Sequence, residues 1–201
     1  MNTISNDNTH RIDVQGTIPF RIRLSEPFEN VVRLNPDLRI EQSAEGELIL
    51  MSPTGGETGY RNGKINLQLG LWAQSFGGFV FDSSTLFQLP NGAKRSPDAA
   101  WISEKRWLSL TLEERKGFPP IAPDFVIELR SESDRLVDLQ AKMQEYVDNG
   151  VRLGWLIDPF ERQVHAYEPS KLPETVTSDS ISNQNYLPGF VLNLRPIWAQ
   201  E

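Results

Sequence analysis

Apolar positions along the chain recur at two different periods, and the changes of period mark its elements. Between residues 57 and 76, Ile65, Leu69, Trp72 and Phe76 return at three- and four-residue intervals. That spacing predicts a helix with these side chains on one stripe, and Gly77-Gly78 is its stop. A second stripe of Leu136, Leu139, Met143, Tyr146 and Val147 predicts a helix capped by Asp134, running to about residue 149 and closed by Gly150. A short helix is expected over 26–34, capped by Ser25 and ended by Asn35-Pro36. Another follows Thr111, whose spacing to Glu114 fits a capping box.

The remaining apolar segments are too short for helices or alternate as strands do. Residues 38–42 and 47–51 read as a hairpin around Ala44-Glu45-Gly46. Residues 79–82 and 86–89 read as strands, and Asn91-Gly92 is a strong turn from which 97–102 returns as a strand. The most apolar strand is 124–130, and 153–158 with 163–168 form a further hairpin over Pro159-Phe160. One more extended segment is expected over 186–198. Helices interspersed among strands predict an α/β or α+β fold with a mixed central sheet flanked by helices. Residues 1–16 read as a flexible N-terminal arm and 169–186 as a loop, which makes 17–201 a single domain.

Composition narrows the chemistry. The 201 residues include no cysteine and only two histidines, His10 and His165. Disulfides and thiolate sites are excluded, and a zinc site built on several histidines is not available. Any metal must be held by oxygen, which points to magnesium, manganese or calcium. No apolar run approaches a membrane span, and the first residues lack the basic and apolar regions of a signal peptide. The expected location is the cytoplasm. Twenty lysines and arginines against 27 aspartates and glutamates leave a net charge of −7, which counts against a general nucleic-acid binder but not against a local basic groove.

Two carboxylates stand where charge is costly, and two further charged residues are candidates beside them. Alternation along 124–130 puts Val126, Glu128 and Arg130 on one face and Phe125, Ile127 and Leu129 on the other, so Glu128 lies inside an apolar strand. It is either paired, for instance with Arg130, or bound to a cation. Asp98 follows Pro97 and precedes Ala99-Ala100-Trp101, and it either closes a turn or ligates. Two carboxylates on adjacent strands repel unless a cation joins them or one takes a proton. Lys142 sits on the flank of its helix's apolar stripe, either covering the core with its stem or stabilising charge that develops on a phosphate. Glu41 precedes a hairpin turn and is the weakest candidate of the set, readable simply as a solvated hairpin residue.

At these residues the chain resembles the restriction-endonuclease-like PD-(D/E)XK nuclease superfamily. Within it the chain is similar to the cyanobacteria-rich endonuclease family formerly known as a domain of unknown function. The strings that carry the likeness are Ile40-Glu41, Gly46-Glu47-Leu48, Met51-Ser52-Pro53-Thr54-Gly55, Ser96-Pro97-Asp98-Ala99-Ala100-Trp101 and Pro123-Asp124-Phe125-Val126-Ile127-Glu128-Leu129. Ser131, Lys142 with Tyr146, Gly150 and Trp155-Leu156-Ile157-Asp158-Pro159 continue it, so that it runs from about residue 25 to 195.

The resemblance implies a restriction-endonuclease-like core in which Asp98 and Glu128 bind Mg2+ (or Mn2+), with Glu41 assisting. It implies an endonuclease that hydrolyses phosphodiester bonds in DNA, as a homodimer or with a protein partner supplying specificity. Where the superfamily pattern has a lysine two residues after the glutamate, this chain has Arg130, which stays charged and cannot readily act as a base. The resemblance implies that the lysine's role moves to the following helix, which here gives Lys142. Arg130, Arg61 and Lys64 are candidate phosphate contacts. Relatives often carry a histidine shortly after Met51-Ser52-Pro53, where this chain has Glu57, Thr58, Gly59 and Tyr60. The alternative is a catalytically inactive member of the fold that binds protein or nucleic acid. The two readings part on geometry, since catalysis needs Asp98 and Glu128 to converge with the Lys142 ammonium beside them.

Overall fold

The computed structural model describes residues 27–51 and 53–198. The expected arm over 1–16, the cap at Ser25 and Ser52 lie outside the described residues. Helix α1 (Phe28–Leu34) buries Phe28, and β1 (Ile40–Gln42) and β2 (Leu48–Leu50) form the expected hairpin, Ile40 opposite Leu50. Helix α2 (Gly56–Phe76) turns Arg61, Ile65, Leu69 and Ala73 inward. Its buried stripe is thus a strict four-residue repeat. Phe76, expected on it, is exposed and stacks on Trp72 at 4.7 Å.

Strand β3 (Phe79–Asp82) is followed by β4 (Phe87–Gln88), the Asn91-Gly92 turn and β5 (Lys94–Arg95). The hairpin closes on β5, with Phe87 opposite Arg95, rather than on the strand expected over 97–102. Pro97 offers no N–H to a ladder, so pairing breaks there. The chain re-enters a different sheet as β6 (Ala99–Ile102). Helix α3 (Glu104–Leu108) was not foreshadowed by any periodicity, and α4 (Leu112–Lys116) carries the Thr111–Glu114 capping box.

Strand β7 (Phe125–Leu129), helix α5 (Leu136–Asp148), β8 (Leu153–Asp158) and β9 (Gln163–Tyr167) follow as expected. The cap of α5 differs. Arg135 occupies the N-cap without a side-chain bond, and the Asp134 carboxylate instead accepts from Ser131 N (2.8 Å) and Oγ (2.6 Å). Residues 169–186, expected as loop, include β10 (Glu174–Val176) and β11 (Ser180–Ile181). The extended segment expected over 186–198 shrinks to β12 (Leu192–Asn193), because Gly189 at φ +77° and Pro196 bend the chain around it.

The main sheet has the order β10-β9-β8-β7-β6-β3, antiparallel except for β7 and β8, which run parallel with α5 as their connection. A second sheet, β2-β1-β5-β4, stands beside it. Alternation along β7 builds both halves of the core. Phe125, Ile127 and Leu129 meet Trp155 and, from α2, Ile65 and Leu69. Val126 faces the opposite way, to Leu156 and to Met143 and Tyr146 of α5. The result is the mixed α+β architecture expected, a central sheet with helices on both faces. Among the described residues no helix is long and apolar enough to cross a membrane.

Gly78 joins α2 to β3 at φ +85°, and a Cβ there would stand 2.7 Å from the Ile102 carbonyl oxygen and against the Trp101 indole. Gly78→Ala is therefore expected to lower unfolding stability by more than about 1 kcal/mol. Chemical denaturation measures this, and an unchanged midpoint would mean that the turn relaxes freely.

Candidate active site

Four elements bring charged side chains to one wall of a cleft of about 1050 Å³. Strand β1 contributes Glu41, the residue before β6 is Asp98, β7 contributes Glu128, and α5 contributes Lys142, all lining the cleft. The Lys142 Nζ lies 2.9 Å from Glu41 Oε1 and 2.9 Å from Glu128 Oε1. Lys142 thus does not point to bulk solvent, and its partner carboxylates come from two different sheets. Glu128 pairs with Lys142 and not with Arg130, and it also accepts from the Tyr146 hydroxyl at 2.9 Å.

Glu41 is neither solvated nor free. It is 2 % exposed. Its Oε1 accepts from Ser96 N (2.8 Å) and its Oε2 from the Arg95 guanidinium (3.2 Å). Arg95 in turn holds Glu145 of α5 at 2.5 Å. Asp98 is gripped on both oxygens, Oδ1 by Asn62 Nδ2 (3.0 Å) and Oδ2 by Leu129 N (2.9 Å). Its carbonyl accepts from Asn66 Nδ2 at 3.0 Å.

The electrostatics follow from crowding acids in a dry place. Burial pushes the Glu128 carboxyl up to about 7, with the Asp98 and Glu41 charges adding to the rise while Lys142 opposes it. Burial likewise raises Asp98, against the Leu129 N–H, Lys142 and Asn62. Burial would raise Glu41 too, but Lys142 and Arg95 outweigh it and hold that carboxyl below its ordinary value. Lys142 loses solvation yet is raised further, because Glu128 and Glu41 flank it. The two flanking carboxylates thus favour the charged ammonium.

A linkage prediction comes from Glu128. Its folded value lies above the ordinary 4.5, so the folded chain binds more protons than the unfolded one between those values. Stability without metal should fall as pH rises from about 4.5 through 7, by an amount on the order of 3 kcal/mol, and level off above. Denaturation midpoints in EDTA from pH 5 to 8 check this, and a rising profile would contradict it.

Among the described residues no three acidic, histidine or cysteine side chains gather into a ready cation cage. Magnesium and manganese need only one or two protein carboxylates. The donors at this wall suit such an ion. The carboxylates of Asp98 and Glu128 offer hard oxygen donors that repel each other, and among the described residues the buried carbonyl oxygen of Asn62 has no hydrogen-bonding partner.

The remaining candidates divide. Arg61 lines the cleft, paired at 3.2 Å with the well-exposed Glu57. Lys64 does not line it, and its ammonium lies over the Tyr60 ring at 5.2 Å. Arg130 is also outside it, bound to Asp158 at 2.7 Å and over the Phe160 ring. Three residues at the site were not singled out from sequence as functional: Asn62, Arg95 and the hydroxyl of Tyr146. Asn62 and Asn66 do carry a local signal, two amides one turn apart beside a buried stripe. Arg95 carries none, since its partner Glu145 is 50 positions away.

The chain compares with known proteins as follows. A family model described as "Putative restriction endonuclease", the Uma2 family, matches residues 26–195. A solved structure described as a putative nuclease belonging to DUF820, from Anabaena variabilis, superposes with a TM-score of 0.68 at 18% identity. The match covers 79% of this chain and 89% of that one, and at such identity it speaks for the fold. No curated protein shows significant similarity to the chain.

Proposed function

Since the chain belongs to the Uma2 family of putative restriction endonucleases, we propose that it is a Mg2+- or Mn2+-dependent endonuclease that hydrolyses phosphodiester bonds in DNA. The observation that carries this reading is the meeting of Glu128, Glu41 and Lys142 within 2.9 Å contacts beside Asp98 on one cleft wall. A purely structural role would leave this many buried charges without a reason, since apolar side chains fill such a space at lower cost.

Asp98 and Glu128 would hold the divalent ion, which supplies Lewis-acid chemistry towards a phosphate and a water when bound. Lys142 keeps its charge and engages Glu41 and Glu128 with two of its three N–H bonds. The third serves the attacking water or a phosphate oxygen as charge develops. Glu41, tied to Lys142, Arg95 and Ser96, acts by positioning that lysine. Arg61 exchanges the exposed Glu57 for a phosphate, and the first-turn amides of α2, which open on the cleft at Gly55 and Gly56, add donors of the kind that favour anions. A homodimer or a protein partner would supply target specificity.

The alternative is an inactive member of the fold that binds protein or nucleic acid, and one observation favours it. Eight acidic residues line the cleft against three basic ones. Magnesium-dependent cleavage of plasmid and single-stranded DNA separates the two, comparing the wild type with Asp98→Ala and Lys142→Ala. Cleavage lost in both variants supports the nuclease. Equal cleavage in all three points to another site or a contaminant, and no cleavage of any nucleic acid supports the binding module.

A further inference from the structure

Asn62 lies near the start of α2 and lines the cleft. The orientation of its amide is set by chemistry. An ionised carboxylate only accepts, so the group 3.0 Å from Asp98 Oδ1 must be the amide nitrogen. The carbonyl oxygen is therefore not the atom on Asp98, and it is buried with no hydrogen-bond donor among the described residues. An unpartnered buried carbonyl is rare and costly, and it marks a place where something other than the protein satisfies it. Its neighbours make the choice. The same side chain grips Asp98, and the cleft it lines is lined also by Glu128, Glu41 and Lys142. An anion or a phosphate oxygen would be repelled by such a carbonyl, whereas a hard cation takes neutral amide oxygens readily.

We propose that Asn62 is a bifunctional residue of this site. Its nitrogen positions the Asp98 carboxylate, and its oxygen is a third, neutral ligand for the divalent cation held by Asp98 and Glu128. This rests on the reading of the cleft as a cation site. Asn66, one turn further on, holds only the Asp98 main-chain carbonyl and the Asn62 carbonyl of its own helix, so it braces the arrangement without touching the ion.

The test is Mn2+ titration of the full chain, reading free Mn2+ by its paramagnetic resonance signal, with circular dichroism to verify folding. Asn62→Leu, which keeps the branched shape but has neither donor nor acceptor, is expected to bind Mn2+ at least about tenfold more weakly than the wild type. Asn62→Asp retains an oxygen ligand and adds charge, and it is expected to bind at least as tightly as the wild type. Asn66→Ala, which disturbs only the brace, is expected to weaken Mn2+ binding by clearly less than Asn62→Leu does. Equal affinities for Asn62→Leu and the wild type would overturn the proposal. So would a loss in Asn62→Asp as large as in Asn62→Leu, or one in Asn66→Ala as large as in Asn62→Leu. A wild type that binds no Mn2+ would instead sink the cation-site reading on which the proposal stands.

Discussion

Lys142→Met is expected to lower unfolding stability by about 3–5 kcal/mol and to abolish cleavage, the largest combined effect of any single change in this chain. The ammonium is the shared partner of Glu41 and Glu128, which are 2 % and 4 % exposed. Removing it leaves two buried carboxylates facing each other with Arg95 as the remaining cation, and Arg95 reaches Glu41 alone of the two. One of them must take a proton or draw in water, and either response costs folding free energy. A loss of activity by itself would be ambiguous in so unstable a variant. The discriminating measurement is rescue. Adding Glu128→Gln to Lys142→Met removes the charge left unpaired, and should recover a large part of the stability while leaving the protein inactive. Denaturant midpoints of the two variants check this, and a double variant as unstable as the single one would show that packing of the lysine stem, and not its charge, matters.

Asp98→Ala is expected to reduce metal-dependent cleavage by well over a hundredfold, more than the loss typical of residues that only support a ligand. Its effect on the fold should be mild by comparison. Asp98 is half-buried on the cleft wall, and burial already holds its carboxyl above the ordinary value. Its charge also raises Glu128. Removing it relieves that repulsion while freeing the Leu129 N–H and the Asn62 amide to meet water in the cleft. The two opposing changes should keep the metal-free melting temperature within about 4 °C of the wild type. Dialysed protein, assayed with and without added Mg2+, gives both numbers. A folded Asp98→Ala protein that still cleaves would remove Asp98 from the site. A variant as unstable as Lys142→Met would make Asp98 a structural residue first.

Periodicity alone made much of the fold legible. The stripes of α2 and α5, the Asn91-Gly92 turn and the alternation along β7 are local properties, carried by spacings of two, three and four residues. They suffice to put Glu128 on the face of its strand opposite Phe125, Ile127 and Leu129, and the tertiary structure shows that α5 covers that face. The same rules failed where a local signal had two outlets. Asn91-Gly92 announces a hairpin without naming its partner, and Pro97 decided for β5 by interrupting the ladder before β6. Asp134 looked like the cap of α5, yet its carboxylate is taken by Ser131.

The site divides along the same line. Residue types and their order determined that a cation here must meet oxygen, that Asp98 and Glu128 are costly carboxylates on neighbouring strands, and that the chain falls within an endonuclease family. Only the tertiary structure decided which cation stands beside them. By alternation Arg130 shares a strand face with Glu128, but the parallel neighbour β8 ends in Asp158, which captures its guanidinium at 2.7 Å. Lys142 takes the place because α5 crosses back over the sheet and lays it between Glu128 and a glutamate 101 residues away. Glu41 changed most, from a hairpin residue to a buried carboxylate with three partners. A burial that depends on two sheets meeting leaves no mark on the five residues around it, since spacing encodes which way a side chain faces and not what it will find there.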